Sequence, residues 1–352
     1  MKGVILHGGA GTRLRPITHT GPKQLIPIGN KPMSQYALEY VTQSGIKNIS
    51  IILGDIYPEK VREYYGDGSR FNCKIQYMDQ GKPLGIANAI SLVENFVEYD
   101  KFVIVLGDNL IGDSIKRFVR KFENSDYDAY LLFSETSHPQ DFGVGKFSSD
   151  GKLIELMEKP KNPASNYAIT GIYFFTSKIF EHIRKLKPSW RNEYEITEAI
   201  QSLLNSGGNI GYDIIKSWWK DTGTVEDILA ANRLVLDRIE HNVEHKNIQG
   251  KVTIGRNVTI SEDSIIRGPA IIGDNTVIED HVFIGPYTSI GENCVLRTAS
   301  IENSIVIKNS YVDTENMIID SIIGEGSSIH NAISMKPRGL RMIIGENSKL
   351  YI

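Results

Sequence analysis

Apolar residues fall along this chain in two regimes. Up to about residue 240 they come as short runs, at Lys2–Leu6, Ile49–Leu53, Phe102–Leu106 and Ala129–Ser134, with Lys74–Met78 reading as a further strand. Runs of that length read as strands buried on both faces. Between them, apolar positions recur at three- and four-residue spacing. In Gln35–Ser44 they are Tyr36, Leu38, Tyr40 and Val41, and Gly45 follows as a stop. This predicts a helix there, with others over Pro58–Tyr65 and Gly85–Val93, one opening across Pro188–Glu198, and one over Glu226–Glu240. Leu153–Met157 and the end of Asn166–Phe174 read as further strands. Strands alternating with helices imply a mostly parallel sheet covered on both sides, with ligands at the C-terminal strand ends.

From Lys251 the period changes. Ile254, Ile260, Ile266, Ile272, Ile278, Ile284, Ile290 and Leu296 recur every six residues, the period slips, and it resumes at Val306, Val312 and Ile318. Neither a helix nor an antiparallel sandwich gives that spacing. A left-handed parallel β-helix does, with one aliphatic per flat side. The expected layout is an α/β domain over 1–240, a polar linker over 241–250, and the β-helix over 251–352.

Composition narrows the classes. The chain has 352 residues, 41% hydrophobic and 23% charged, with a net charge of −3. No global basic field recruits nucleic acid or anionic lipid, so an anion site must be local. Cys73 and Cys294 are too few for a disulfide framework or a cysteine metal site. No run has the apolar length of a membrane span, and the chain opens on a strand rather than a leader, so the expected location is the cytoplasm.

The chemistry starts where the first strand ends, at Gly8-Gly9-Ala10-Gly11-Thr12-Arg13-Leu14-Arg15-Pro16, closed by Pro22-Lys23-Gln24-Leu25. Glycines let backbone N–H groups approach an anion, and Arg13 and Lys23 add positive charge. The dinucleotide fingerprint needs a third glycine where Leu14 stands, and no Gly-Lys-Ser/Thr of a P-loop follows. Further along, Gly107-Asp108-Asn109 leaves the fourth strand, where a carboxylate near a triphosphate suits a hard cation. Asp141–Gly145, Glu158-Lys159-Pro160 and Trp218-Trp219-Lys220-Asp221-Thr222-Gly223 follow in order.

The first stretch resembles the signature of the sugar-1-phosphate nucleotidyltransferases, G-x-G-T-R-L-x-P-x-T…P-K. Within that family, Pro22–Leu25 is most similar to glucose-1-phosphate thymidylyltransferases, and the repeat region resembles the C-terminal domain of their long form. The resemblance covers nearly the whole chain. It implies a Rossmann-like nucleotidyltransferase domain and formation of dTDP-glucose and pyrophosphate from dTTP and glucose 1-phosphate, opening dTDP-deoxysugar synthesis. Mg²⁺ is the implied cofactor, held by Asp108 and Asp221. Arg13, Lys23 and Lys159 would bind the reacting phosphates. Leu6, Gly8, Gly9, Gly11, Thr12, Gln24, Gln80 and Gly85 would surround the nucleotide, the two glutamines reading the pyrimidine edge. Asn109, Gly143, Glu158, Lys159, Ile169 and Tyr173 would hold the sugar phosphate. Phe142 departs from the tyrosine of the shorter bacterial enzymes, which removes a phenol contact.

Three other readings compete. The nucleotide could be UTP, since uracil and thymine share their hydrogen-bonding edge. The chain could be a non-catalytic regulatory subunit, which the retained Arg13, Lys23, Asp108, Lys159 and Asp221 disfavour. The β-helix could carry acyltransfer on His281 or His330, for which no acceptor constellation accompanies the histidines. All nominated residues precede Thr222, so the β-helix is expected to serve assembly into a homo-oligomer rather than the site.

Overall fold

The computed structural model describes residues 1–9 and 11–330; Ala10 of the glycine loop and the last 22 positions of the expected β-helix lie outside the described residues. The chain divides into two compact units, Met1–Ala10 with Met33–Asp221, and Gly11–Pro32 with Thr222–Ile352.

The first unit is built on one sheet. Its strands run in the order Ile210–Ile214, Ala129–Glu135, Tyr167–Phe175, Phe102–Leu106, Lys2–His7, Asn48–Gly54, Lys74–Gly81. Neighbours pair in parallel except at Tyr167–Phe175, which is antiparallel to both sides. A hairpin of Gly143–Phe147 and Leu153–Glu158 joins that strand through Val144. The mostly parallel sheet is as expected. Val4, Ile5, Ile104 and Val105 are wholly buried, as strands covered on both faces require. One face packs Val4, Leu6 and Ile52 on Ala87, Ile90, Phe180 and Ile200.

The helices Met33–Gln43 and Pro58–Tyr65 match their patterns. The helix expected to open at Pro188 begins only at Ile196. Before it the backbone is tied laterally: the Tyr194 N–H donates to Leu84 O at 2.8 Å, and the Ala87 N–H donates to Tyr194 O at 3.1 Å. Asn192 takes a left-handed φ of 58°. These bonds replace the helical ladder and hold Pro188–Glu195 as a loop.

In the second unit three five-stranded parallel sheets form the faces of the left-handed β-helix. Ile248, Ile266, Ile284, Ile301 and Ile318 stack along one face, and Ile254, Ile272, Ile290, Val306 and Ile323 along another. The slip in period is local shortening. Leu296 to Ile301 and Ile301 to Val306 are five-residue sides, yet Leu296 still pairs with Val312. Thr298 and Asn303, in left-handed conformation, turn the shortened corners. At another corner Asn257, Asn275, Asn293 and Asn309 form a ladder of side-chain amide bonds at 3.1–3.2 Å.

The helix Val225–Leu236 leads into this domain, started by a capping box between Thr224 and Asp227. It ends four residues before the expected Glu240. Gly11–Pro32 consists of three short 3₁₀ turns and a hairpin of Pro27–Ile28 and Lys31–Pro32. The boundary between the units therefore runs through the expected 1–240 domain. Gly11, Thr12, Arg13, Lys23 and Gln24 belong to the same compact unit as the β-helix.

Candidate active site

In the first unit the strand Phe102–Leu106 delivers Asp108 and Asn109 to its C-terminal end. Asn109–Ile111 then pairs antiparallel with Trp219–Asp221, which sets Asn109 opposite Asp221. Asn109 is 4% exposed, so each polar atom of its amide needs a partner. The Trp219 indole Nε1–H donates to Asn109 Oδ1 at 2.8 Å. An indole can only donate, so this bond fixes which way round the amide sits. Its NH₂ is turned to the acids, donating to Asp108 Oδ1 at 3.0 Å and to Asp221 Oδ1 at 3.4 Å. Trp219 is held in turn by Phe142, edge to face at 4.9 Å between ring centroids. The phenylalanine that departs from the family pattern therefore packs against the residue that orients Asn109.

Two carboxylates converging on one nitrogen give the oxygen donor set that a hard divalent cation prefers. No group of three acidic, histidine or cysteine ligands occurs among the described residues. Mg²⁺ is commonly bound by one or two carboxylates plus substrate phosphates and water, so the donors present fit it.

Beside the pair lies an open cleft of about 170 Å³. Of the residues nominated for the sugar phosphate, Asn109, Gly143, Glu158, Lys159, Ile169 and Tyr173 all line it, and so does Asp221. Gly143 has no room for a side chain, since a Cβ would lie 2.5 Å from Thr197 Cγ2. Thr197 Oγ1–H donates to Glu158 Oε2 at 3.0 Å. Burial and the neighbouring Glu195 charge push the Glu158 carboxyl above the usual range, against the pull of Thr197, Lys159 and Arg191. Burial keeps Tyr173 a phenol throughout the ordinary pH range, with Glu158 and Asp108 acting the same way.

Arg191 escaped the sequence reading as a site residue. It lines the cleft and pairs with Glu158 at 3.6 Å, Glu193 at 2.9 Å and Glu195 at 3.4 Å. The available signal was its company: Arg191 stands within four residues of Glu193 and Glu195. His7 was also passed over. It ends the first strand, 3% exposed, with neither ring nitrogen hydrogen-bonded. Burial lowers its pKa to about 3 despite the opposing pull of Asp108, so it is a neutral imidazole.

The nucleotide set is split between the units. Leu6, Gly8, Gly9, Gln80 and Gly85 lie in the first. There the Gln80 amide donates to Gly85 O at 3.3 Å and Asn88 Oδ1 at 3.4 Å. In the second unit Thr12 and Arg13 occupy one 3₁₀ turn, and Lys23 and Gln24 another. Gly223 serves Arg13 by having no side chain: a Cβ would lie 2.8 Å from Arg13 Nη2. The glycine of Asp221-Thr222-Gly223 thus lets the guanidinium lie flat against backbone.

A mostly parallel α/β sheet with an amide-bridged carboxylate pair at a strand end, next to a polar cleft, is an arrangement suited to handling phosphoryl groups. The nucleotidyl transferase family profile matches residues 2–238, and a profile described as the GMPPB C-terminal domain matches residues 266–350. A low-salt glycan biosynthesis nucleotidyltransferase, Agl11, from Haloferax volcanii is 43% identical over the full length of both chains. A glucose-1-phosphate thymidylyltransferase from Streptomyces antibioticus is 40% identical over 100% of this chain and 99% of its own. The solved structure of a UDP-glucose pyrophosphorylase complexed with UDP-glucose superposes with a TM-score of 0.61 at 25% identity, covering 68% of this chain and 99% of that one. The chain belongs to the sugar-1-phosphate nucleotidyltransferases. No helix among the described residues is long and apolar enough to cross a membrane.

Proposed function

We propose that the protein joins dTTP to glucose 1-phosphate, giving dTDP-glucose and pyrophosphate. The observation that carries the reading is the Asn109-bridged pair Asp108 and Asp221, beside a cleft lined by Glu158 and Lys159. The full-length likeness to a thymidylyltransferase supports the choice of substrates.

In this reading an oxygen of the sugar phosphate attacks the α-phosphorus of the nucleotide in line. The new P–O bond forms as the bond to pyrophosphate breaks, and the displaced electron pair leaves on pyrophosphate. No protein nucleophile is needed, and the task is alignment and charge neutralisation. Lys159 holds the incoming phosphate, Lys23 the α-phosphate, and Arg13 the departing pyrophosphate. Glu158 accepts from sugar hydroxyls, with its orientation set by Thr197 and Arg191. Asp108 and Asp221, oriented by Asn109, would hold Mg²⁺. When bound, the cation supplies positive charge between two polyanions. The cleft wall calls for it: Glu158, Glu193, Glu195 and Asp221 stand against only Lys159 and Arg191. Gln24 and Gln80 supply the donor–acceptor pairs that match a pyrimidine imide edge. The neighbouring uridylyl enzyme keeps UTP as the second reading.

A matrix of dTTP, UTP, ATP and GTP against hexose 1-phosphates, read by pyrophosphate release with and without Mg²⁺, tests both. The expected order is dTTP, then UTP, with the purines poor and no turnover in chelator. Equal rates with ATP would rule out the pyrimidine pocket.

A further inference from the structure

In the second unit the segment that carries Arg13, Lys23 and Gln24 ends in the hairpin Pro27–Pro32, turned by Gly29 and Asn30, both at positive φ. The hairpin is tied down at one buried amide. Asn232, on the helix Val225–Leu236, is 1% exposed. Its Oδ1 accepts from the Gly29 N–H at 2.9 Å and from the Ser289 hydroxyl at 2.8 Å. Its Nδ2 donates to Tyr287 O at 3.1 Å. Asn30 adds a second tie, donating from Nδ2 to Ile290 O at 2.6 Å. Helix, hairpin and β-helix side Thr288–Ile290 thus share one side chain. Ser289 is itself fully buried, and water cannot replace these partners cheaply.

We propose that Asn232 is a positioning residue for nucleotidyl transfer: it seats the hairpin on the β-helix and so fixes the turn that carries Lys23 and Gln24. The hairpin starts two residues after that turn, too short a span to absorb much freedom. A side chain that both accepts and donates is required here. Leucine would orphan Gly29, Ser289 and Tyr287 together, and aspartate would set a carboxylate against the Tyr287 carbonyl. The inference rests on the reading that Lys23 and Gln24 bind the nucleotide. It also gives the β-helix a part in the site.

The test uses the full chain with Asn232→Ala, and Ser289→Ala as a milder variant that removes one donor and keeps the fold if the first does not. Hydrogen exchange is read on peptides spanning 11–32 and on the strands Lys2–His7 and Phe102–Leu106. KM is read separately for dTTP and for glucose 1-phosphate. Exchange in 11–32 should quicken roughly tenfold while the strands hold. KM for dTTP should rise several-fold with that for glucose 1-phosphate unchanged. Unaltered exchange in 11–32 overturns the proposal, and so does an equal rise in both KM values, which marks general destabilisation. If the parent transfers no nucleotide to any sugar 1-phosphate, the functional reading fails, and the exchange arm still decides whether Asn232 seats the hairpin.

Discussion

Trp219→Phe tests the indole bond that orients Asn109. Phenylalanine keeps an aromatic ring on the Phe142 side but removes the indole N–H together with part of the bicyclic ring. Asn109 Oδ1 then loses its donor at a site 4% exposed, where water cannot substitute freely. Leaving a buried acceptor unsatisfied costs about 1–3 kcal/mol. Rotating the amide does not escape that cost, because it turns Oδ1 toward Asp108 and Asp221 in place of the NH₂. If the lost free energy falls on the aligned state, kcat drops roughly five- to 150-fold. The Mg²⁺ concentration for half-maximal rate should rise as well, since the amide that donates to both carboxylates is no longer held from its other end. Pyrophosphate release across a Mg²⁺ titration measures both quantities, and near-UV circular dichroism checks that the fold is kept. A folded variant with kcat and metal requirement within twofold of the parent would refute the bridging role.

Arg13→Ala and Lys23→Ala should each lower turnover by orders of magnitude in a folded protein, since preorganised donors to a charged transition state are typically worth about 2.7–4 kcal/mol; near-normal turnover in either removes that residue from the phosphate site. Glu158→Gln should cost activity and gain stability. The folded-state pKa of Glu158 is raised, so between the unfolded and folded values the native state holds a proton that the unfolded chain has released. Stability from this group is present below the ordinary carboxylate range and lost as pH rises through the raised value. The variant should therefore melt above the parent at pH 8, with the gap closing toward pH 4, and a gap that widens on acidification contradicts the sign.

The strands of the first unit were legible because burial on both faces leaves runs such as Phe102–Leu106 without polar interruption. The β-helix was legible because each flat side demands one aliphatic. Its shortened sides were not, since Leu296 to Ile301 breaks the period while the ladder stays in register. The residues nominated for the sugar phosphate line one cleft because short motifs at strand ends travel with the sheet. Arg191 was missed because its loop was read as helix, where its relation to Glu158 could not be seen. Trp219 lines the cleft, and its indole also sets the Asn109 amide, a role no local pattern announces. Least visible was the seat of the glycine loop. Asn232 occupies a buried phase of its helix among Ile228, Leu229, Ala231 and Leu236, and a polar residue there was the one clue that something long-range needed an amide. Contacts between Gly29 and residue 232, or Asn30 and residue 290, leave no local pattern.

That separation in sequence also sets an order of maturation. The segment 11–32 leaves the ribosome while Asn232, Tyr287, Ser289 and Ile290 are still unmade. At about 5–20 residues per second, the seat follows its occupant by on the order of tens of seconds. For that interval the nascent chain already carries Arg13 and Lys23 without the Asn232 and Ile290 ties on their hairpin. Stop codons falling between Asp221 and Tyr287 would leave every charged residue nominated for the chemistry in place and still strand two of them.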